Sequence, residues 1–140
     1  MPNGFSASTV LLNARGDSMA ALAKGGSLDV MGGKKPKHGD EAIDGQPRLV
    51  RLRFSSFEAA SNGVLRASLI AALAIQDGKA TWYRVHRADG ATGLWDGYVG
   101  EEDSDADMIL RTTKISAGVL VGPISFEHDL RGDARSIAAA

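Results

Sequence analysis

The feature that most constrains the fold is a pair of neighbouring strand patterns in residues 81–99. Both segments, 81–87 and 94–99, are rich in aromatic and β-branched residues, which favour extended structure. Between them, Ala88-Asp89-Gly90 is typical of a tight turn, because glycine adopts the backbone angles that such turns need. The sequence therefore predicts an antiparallel hairpin, which needs further strands or a helix to cover it.

A second strand is predicted at residues 50–54, where Val50, Leu52 and Phe54 alternate with Arg51 and Arg53. Alternate residues of a strand point to opposite faces, so this segment has one apolar and one basic face. Other short segments bounded by turn residues are also predicted as strands, at 28–31, 108–113 and 119–127.

One helix is predicted near the N-terminus, from residue 6 or 8 to residue 24, because its apolar residues recur at near helical spacing. Ser6 and Ser8 suit its first turn, and Gly25 and Gly26 suit its end. Gly16 is a weak point, since a glycine inside a helix costs about 1 kcal/mol relative to alanine. We therefore expect the helix to depend on packing one face against the rest of the protein.

The segment 64–75 is ambiguous. Its leucines and alanines fit a helix, yet Leu65, Ala67 and Leu69 alternate with Arg66 and Ser68 as in a strand. Periodicity leaves both interpretations open.

The succession of six or seven short strands after a single helix predicts a mainly β fold, an antiparallel jelly roll or β-sandwich. The pattern contains no internal repeat and no domain boundary, so one domain is expected over residues 1–140. Within it, residues 32–47 lack any apolar period and predict a charged loop that is exposed or partly disordered. Residues 130–140 are expected to form a polar tail.

Composition limits the classes of function. With 16 Lys and Arg against 17 Asp and Glu, the formal net charge is −1, which disfavours a basic protein whose main role is to bind nucleic acid. The chain has no Cys, which excludes a thiolate metal site, a disulfide framework and a cysteine nucleophile. It also lacks the pattern of a signal peptide and any long apolar run, so a soluble protein without membrane contact is expected.

Motifs for catalysis or metal binding are weak. The acidic run 101–107 has an Asp-x-Asp-x-Asp core, but Met108 and Lys114 stand where an EF-hand loop needs Gly and Glu, so a solvated loop is favoured over calcium binding. The three histidines, His38, His86 and His128, lack metalloprotease spacing, and no Gly-x-Ser-x-Gly motif occurs. We therefore expect no enzyme activity, no metal and no cofactor.

Two groups of residues are candidates for binding a partner. Lys34, Lys35 and Lys37, with Arg48, Arg51 and Arg53 close in sequence, form a basic concentration that suits phosphate or an acidic protein surface. Asp40, Glu41 and Asp44 reduce its charge by half. No aromatic residue lies among them to stack bases, which argues against direct contact with nucleic acid.

The second group lies on the predicted strand 81–87. Trp82 and Arg84 project from one face of it together with His86, and aromatic and Arg side chains are enriched at interface hot spots. A tryptophan that closes the end of the core is an equally good interpretation of Trp82.

The second half of the chain also carries an ordered series of short motifs. They are Ala80-Thr81-Trp82-x-Arg84, Asp89-Gly90, Asp96-Gly97-x-Val99-Gly100, Asp107-x-x-Leu110, Thr113-x-Ile115-x-Ala117-Gly118 and Ile124-Ser125-Phe126. With the N-terminal Leu12-Asn13-Ala14-Arg15, this series resembles small virion structural proteins of tailed bacteriophages. Among these, it is similar to jelly-roll capsid cement or decoration proteins of the Bordetella phage type. The resemblance covers about residues 8–31 and 48–128, and it excludes the charged loop and the tail.

The resemblance implies a strand at residues 64–70. It also implies a non-enzymatic protein, made in the host cytoplasm, that binds the outer surface of the capsid, bridges the major capsid protein subunits and forms a homodimer. A tail or head-tail joining protein is the alternative within the virion. An alternative of another class is a small β-sandwich that binds carbohydrate or calcium, with Trp82, Trp95 and Tyr98 as a stacking platform beside the acidic run.

Overall fold

A computed structural model describes residues 8–131. Within that range the chain begins with one helix, Thr9–Ala23 (α1), followed by strands and connecting loops. The strands are Ser27–Met31 (β1), Arg48–Phe57 (β2), Val64–Ile70 (β3), Ala72–Leu73 (β4), Gly78–Lys79 (β5), Trp82–His86 (β6), Gly93–Gly100 (β7), Met108–Ile109 (β8), Lys114–Ile115 (β9), Leu120–Val121 (β10) and Ser125–Asp129 (β11). The predicted mainly β fold with an N-terminal helix is confirmed.

Seven of the described strands close into a barrel, in the order β1-β2-β3-β11-β8-β7-β6. Neighbours pair antiparallel except for β7 and β8, which run parallel, a departure from the all-antiparallel prediction. Two small sheets, β4 with β10 and β5 with β9, lie outside the barrel order. A closed sheet leaves its seven strands without a free edge, which removes the usual route to edge-to-edge aggregation.

The core of the barrel is built from alternate residues of these strands. Val50, Leu52 and Phe54 of β2 are buried as predicted, and Tyr83 and Val85 of β6 join them. Phe126 of β11 meets both rings, with centroids 6.1 Å from Phe54 and 5.3 Å from Tyr83. Edge-to-face pairs of this kind add to the stabilisation from buried area.

The segment 64–70 is a strand, as the resemblance implies. Its neighbours decide this, because β3 pairs with β2 on one side and β11 on the other. The hairpin of β6 and β7 is also present, with Gly90 at a φ of 71° in its turn.

The final strand prediction is wrong as one continuous element. Residues 119–127 are divided between β10 and β11, and Gly122-Pro123 lies at the break. Proline fixes φ and has no N–H to donate, so it interrupts strand pairing. The strand predicted at 108–113 is likewise reduced to Met108–Ile109.

Helix α1 begins at Ser8, whose side chain accepts a hydrogen bond from the Leu11 N–H, and it ends before Gly25 with φ 75°. Ser6, the other predicted start, lies outside the described residues. The prediction that the apolar residues of α1 share one face is wrong, since Leu12 is buried while Leu11 and Leu22 are exposed.

Gly16 is where the helix touches the barrel. A Cβ there would lie 2.8 Å from Leu130 Cδ1 and 2.9 Å from Ala60 Cβ, so glycine permits close approach. The residue that weakens the helix, Gly16, is therefore also the residue that allows the helix to pack closely against Leu130 and Ala60. Leu130, at the start of the predicted polar tail, is fully buried in this contact. The rest of that tail, from residue 132, lies outside the described residues.

Candidate functional site

A row of alternating charges crosses the outer face of four barrel strands. The strand registers place Arg51 of β2 opposite Asp29 of β1, Asp29 opposite Arg84 of β6, and Arg84 opposite Asp96 of β7. All four side chains therefore point away from the barrel core on the same face. Asp29, Arg84 and Asp96 are nevertheless less than one-tenth exposed.

Each carboxylate in the row is held by both of its oxygens. Arg51 donates from Nε to Asp29 Oδ1 at 2.7 Å and from Nη2 to Oδ2 at 3.0 Å. Arg84 repeats this geometry with Asp96, at 2.7 and 3.0 Å. Such two-point pairs are strong and directional. The hydrogen bonds that Arg51 donates to Asp29 raise the pKa of Arg51, which stays charged.

His86 lies beside this row with an unsatisfied nitrogen. Its Nδ1 is buried, has no hydrogen-bond partner within residues 8–131 and lies 3.6 Å from Asp29 Oδ2. Burial lowers the pKa of His86 more strongly than the charge of Asp29 raises it, and the cations of Arg51 and Arg84 lower it further.

The charged loop 32–47 covers part of this face. Trp82 donates from Nε1 to the Gly32 carbonyl at 2.9 Å, and Arg84 donates to the carbonyls of Glu41 and His38 at 2.6 and 3.2 Å. The loop has no helix or strand, as predicted, but these contacts attach it to β6.

The predicted partner-binding residues therefore occupy different environments. Trp82 is fully buried and Arg84 nearly so, which leaves both in contact with their own chain. Arg51 is partly buried on Asp29, whereas Arg53 is exposed. Of the lysines, Lys34 and Lys37 are exposed, while Lys35 Nζ lies 5.3 Å from the centre of the Tyr98 ring.

The residues of the carbohydrate alternative do not share one surface. Tyr98 is opposite Trp82 on the outer face, whereas Trp95 is opposite Val85 and packs against the core. At the acidic run, Glu101 accepts two hydrogen bonds from Thr113, which lower its pKa. Over residues 8–131, no group of three His, Cys, Asp or Glu is arranged to hold a metal ion.

Asp107, at the end of the acidic run, joins two strands, β6 and β11. Its Oδ2 accepts from the Tyr83 hydroxyl at 2.7 Å and lies 3.0 Å from His128 Nδ1, while its carbonyl accepts from the Glu127 N–H. This cluster fixes one side of the barrel, and its burial favours a structural role.

The small sheet of β4 and β10 carries an apolar patch that the sequence did not predict. Leu73 of β4 and Leu120 of β10 are directly paired across the sheet and are 61% and 64% exposed. Val119 and Ile75, the neighbours of this pair along the chain, are also more than half exposed. No periodic signal marks this patch, because it depends on which two short strands pair. We call Leu73, Val119 and Leu120 the apolar patch.

No protein-family model, curated protein sequence or solved structure matches this chain. Among the described residues, no helix combines the length and the apolar character that crossing a membrane requires.

Proposed function

We propose that this protein is a non-enzymatic virion structural protein that binds the outer surface of a phage capsid and bridges major capsid protein subunits. The observation that carries the proposal is the apolar patch. Single exposed apolar side chains are ordinary, but contiguous ones mark sites where proteins meet. Leu73 and Leu120 form such a contiguous pair on a face that nothing else in residues 8–131 covers.

The rigidity of the barrel supports a binding role. The small sheet that carries the patch is joined to the packed core of the barrel, because Ala74 and Val121 are buried in that core. Association at the patch therefore orders little additional structure. The ion-pair row and the contacts of loop 32–47 with β6 hold the neighbouring face in the same way.

The identity of the partner rests on the resemblance to cement and decoration proteins. Such a protein stabilises a shell by mass action, because it binds assembled subunits better than free ones. The gain is about 2.7 kcal/mol per site at a hundredfold excess over Kd. The homodimer and the capsid-surface location belong to the same proposal.

The first test is the copy number of this chain in purified virions of the phage that encodes it, measured by quantitative mass spectrometry. A number comparable with that of the major capsid protein supports cementing. A number restricted to one vertex indicates the alternative, a tail or head-tail joining protein. Its absence from virions overturns the proposal.

A second test uses variants of the patch. Leu73→Ser with Leu120→Ser should abolish co-sedimentation with capsids while the unfolding transition is unchanged, because both side chains are already exposed. Val10→Ser with Leu11→Ser on α1 is the matched control, since these residues are 79% and 52% exposed elsewhere on the surface. An equal loss of co-sedimentation in both variants would mean that exposed apolar side chains bind capsids nonspecifically and that the patch is not a specific site.

A further inference from the structure

A hollow of about 350 Å³ lies between loop 32–47 and the outer face of the barrel. Its floor comes from β1 and β6, and its sides come from the loop and from the segment that follows β4. The residues around it are Asp29, Met31, Ile43, Gln46, Arg48, Ile75, Gln76, Arg84 and His86. Ligand pockets span about 300–1,000 Å³, so this one is of a size for a single side chain and its neighbour.

Arg48 supplies a partly exposed positive charge at this hollow, in a long ion pair with Asp29. Both oxygens of Asp29 are already held by Arg51 at 2.7 and 3.0 Å, whereas Arg48 Nη1 lies 3.9 Å from Asp29 Oδ2. The Arg48 side chain is 44% exposed. Arg84 pairs with Asp96. The charge row and the hollow together therefore hold three arginines, Arg48, Arg51 and Arg84, against the two carboxylates of Asp29 and Asp96, an excess of one positive charge.

Apolar side chains lie beside that charge. Ile43 of the loop and Ile75 are 43% and 58% exposed, and both line the hollow. The hollow thus offers an apolar surface and one cation within a single recess.

We propose that this hollow binds an acidic segment of the partner protein, with an apolar side chain between Ile43 and Ile75 and an adjacent carboxylate on Arg48. The choice of an acidic occupant rests on the surplus charge of Arg48, since the three lysines of loop 32–47 are balanced in number by Asp40, Glu41 and Asp44. The inference rests on the proposed function and names the chemistry of the partner.

The test is co-sedimentation of variants with capsids of the encoding phage. Arg48→Gln and Ile75→Ser should each weaken binding about tenfold, which is typical of side chains central to an interface. The matched controls are Arg87→Gln and Ile124→Ser, both at exposed positions outside the hollow, and they should bind as the wild type does. Unchanged unfolding transitions would show that all four variants are folded.

Photo-crosslinking then identifies the occupant. With p-benzoylphenylalanine in place of Ile75, the crosslinked partner peptide should contain Asp or Glu next to an apolar residue. A crosslink to a segment without a carboxylate overturns the inference.

The two proposals fail differently. If the wild-type protein does not sediment with capsids, the proposed function fails and the inference fails with it. If the wild type binds while Arg48→Gln and Ile75→Ser bind equally well, the inference alone fails.

Discussion

Which residue occupies a position in this barrel depends on how closely neighbouring atoms approach it as well as on the chemistry of its side chain. Gly97 of β7 shows this, because it lies opposite Tyr83 and a Cβ at that position would overlap the Tyr83 ring. Tyr83 is fully buried and its hydroxyl is held by Asp107, so the ring has no free space to move into. The glycine therefore makes room for the tyrosine.

Gly97→Ala should accordingly lower the free energy of unfolding by about 1–3 kcal/mol, as overpacking of a core does. Urea denaturation followed by fluorescence measures it. In a Tyr83→Leu background the same change should cost less, since the ring is gone, and this coupling is the control. Equal cost in both backgrounds would show that the overlap with Tyr83 is not the cause.

His86 gives the protein a pH dependence whose sign follows from burial. Its pKa is lowered in the folded state, so the unfolded chain binds more protons as the pH falls through the ordinary value of 6.5. The free energy of unfolding should therefore be greatest above that pH and decline below it. The charged groups that face His86 are Asp29, Arg51, Arg84 and Asp96.

Urea denaturation at a series of pH values between about 5.5 and 8 checks this, above the range in which ordinary carboxyl groups titrate. His86→Gln should remove most of the decline, while His38→Gln, at an exposed loop position, should leave it. A decline that persists in His86→Gln would assign it to another group.

The charge row is a feature of single residues that the sequence does not predict. The alternation of residues 50–54 predicts that Arg51 lies on a basic face. Its ion-pair partner, however, depends on how β1 pairs with β2 and β6. Register between distant strands is a tertiary property, so no local spacing reveals that Asp29 lies between two arginines. Burial of Trp82 is one of the two interpretations that the sequence allows, but its cover by loop 32–47 instead of a place in the core is a tertiary property of the same kind.

At the scale of elements, helix α1 is attached to the barrel through its side chains. Asp17 Oδ1 accepts from the Ala60 N–H at 2.8 Å, and Asn13 Oδ1 accepts from the Gly63 N–H at 2.9 Å. These two residues are one turn apart and together hold the turn between β2 and β3. The helix thus satisfies backbone donors that the turn would otherwise leave unpaired.

Asn13→Ala and Asp17→Ala should each reduce stability by about 1–3 kcal/mol, the cost of leaving a buried donor unsatisfied. Hydrogen exchange of the Ala60 and Gly63 amides provides the measurement, and protection there should fall first. Ser18→Ala, at an exposed position of the same helix, is the control. Unchanged protection would show that the helix is held by Gly16 and Leu130 alone.

How well an element could be predicted depends on where its stabilisation comes from. The β6–β7 hairpin and the N-terminal cap of α1 are local, and the sequence predicts both. Residues 64–70 were ambiguous because both of their partners, β2 and β11, lie elsewhere in the chain. The break in residues 119–127 was different, since Gly122-Pro123 is a local signal that the alternating pattern concealed.

The whole molecule carries both an apolar patch and a charged face partly covered by loop 32–47. Two surfaces of different chemistry respond differently to solvent, because salt screens charge pairs and leaves apolar contact largely intact. Binding that uses both should therefore weaken with salt without disappearing.

Replacing Lys34, Lys35 and Lys37 with alanine isolates the charged contribution. Capsid binding of this triple variant should be weaker than that of the wild type at about 0.1 M salt, and the difference should nearly vanish at about 1 M, where the Debye length is about 3 Å. The control is alanine at Lys24, Arg87 and Lys114, which removes the same charge from exposed positions elsewhere. Because Lys35 also covers Tyr98, the unfolding transition of each variant is compared with that of the wild type. A loss that is independent of salt would mean that the loop acts through its shape, and an equal loss in the control would mean that only net charge matters.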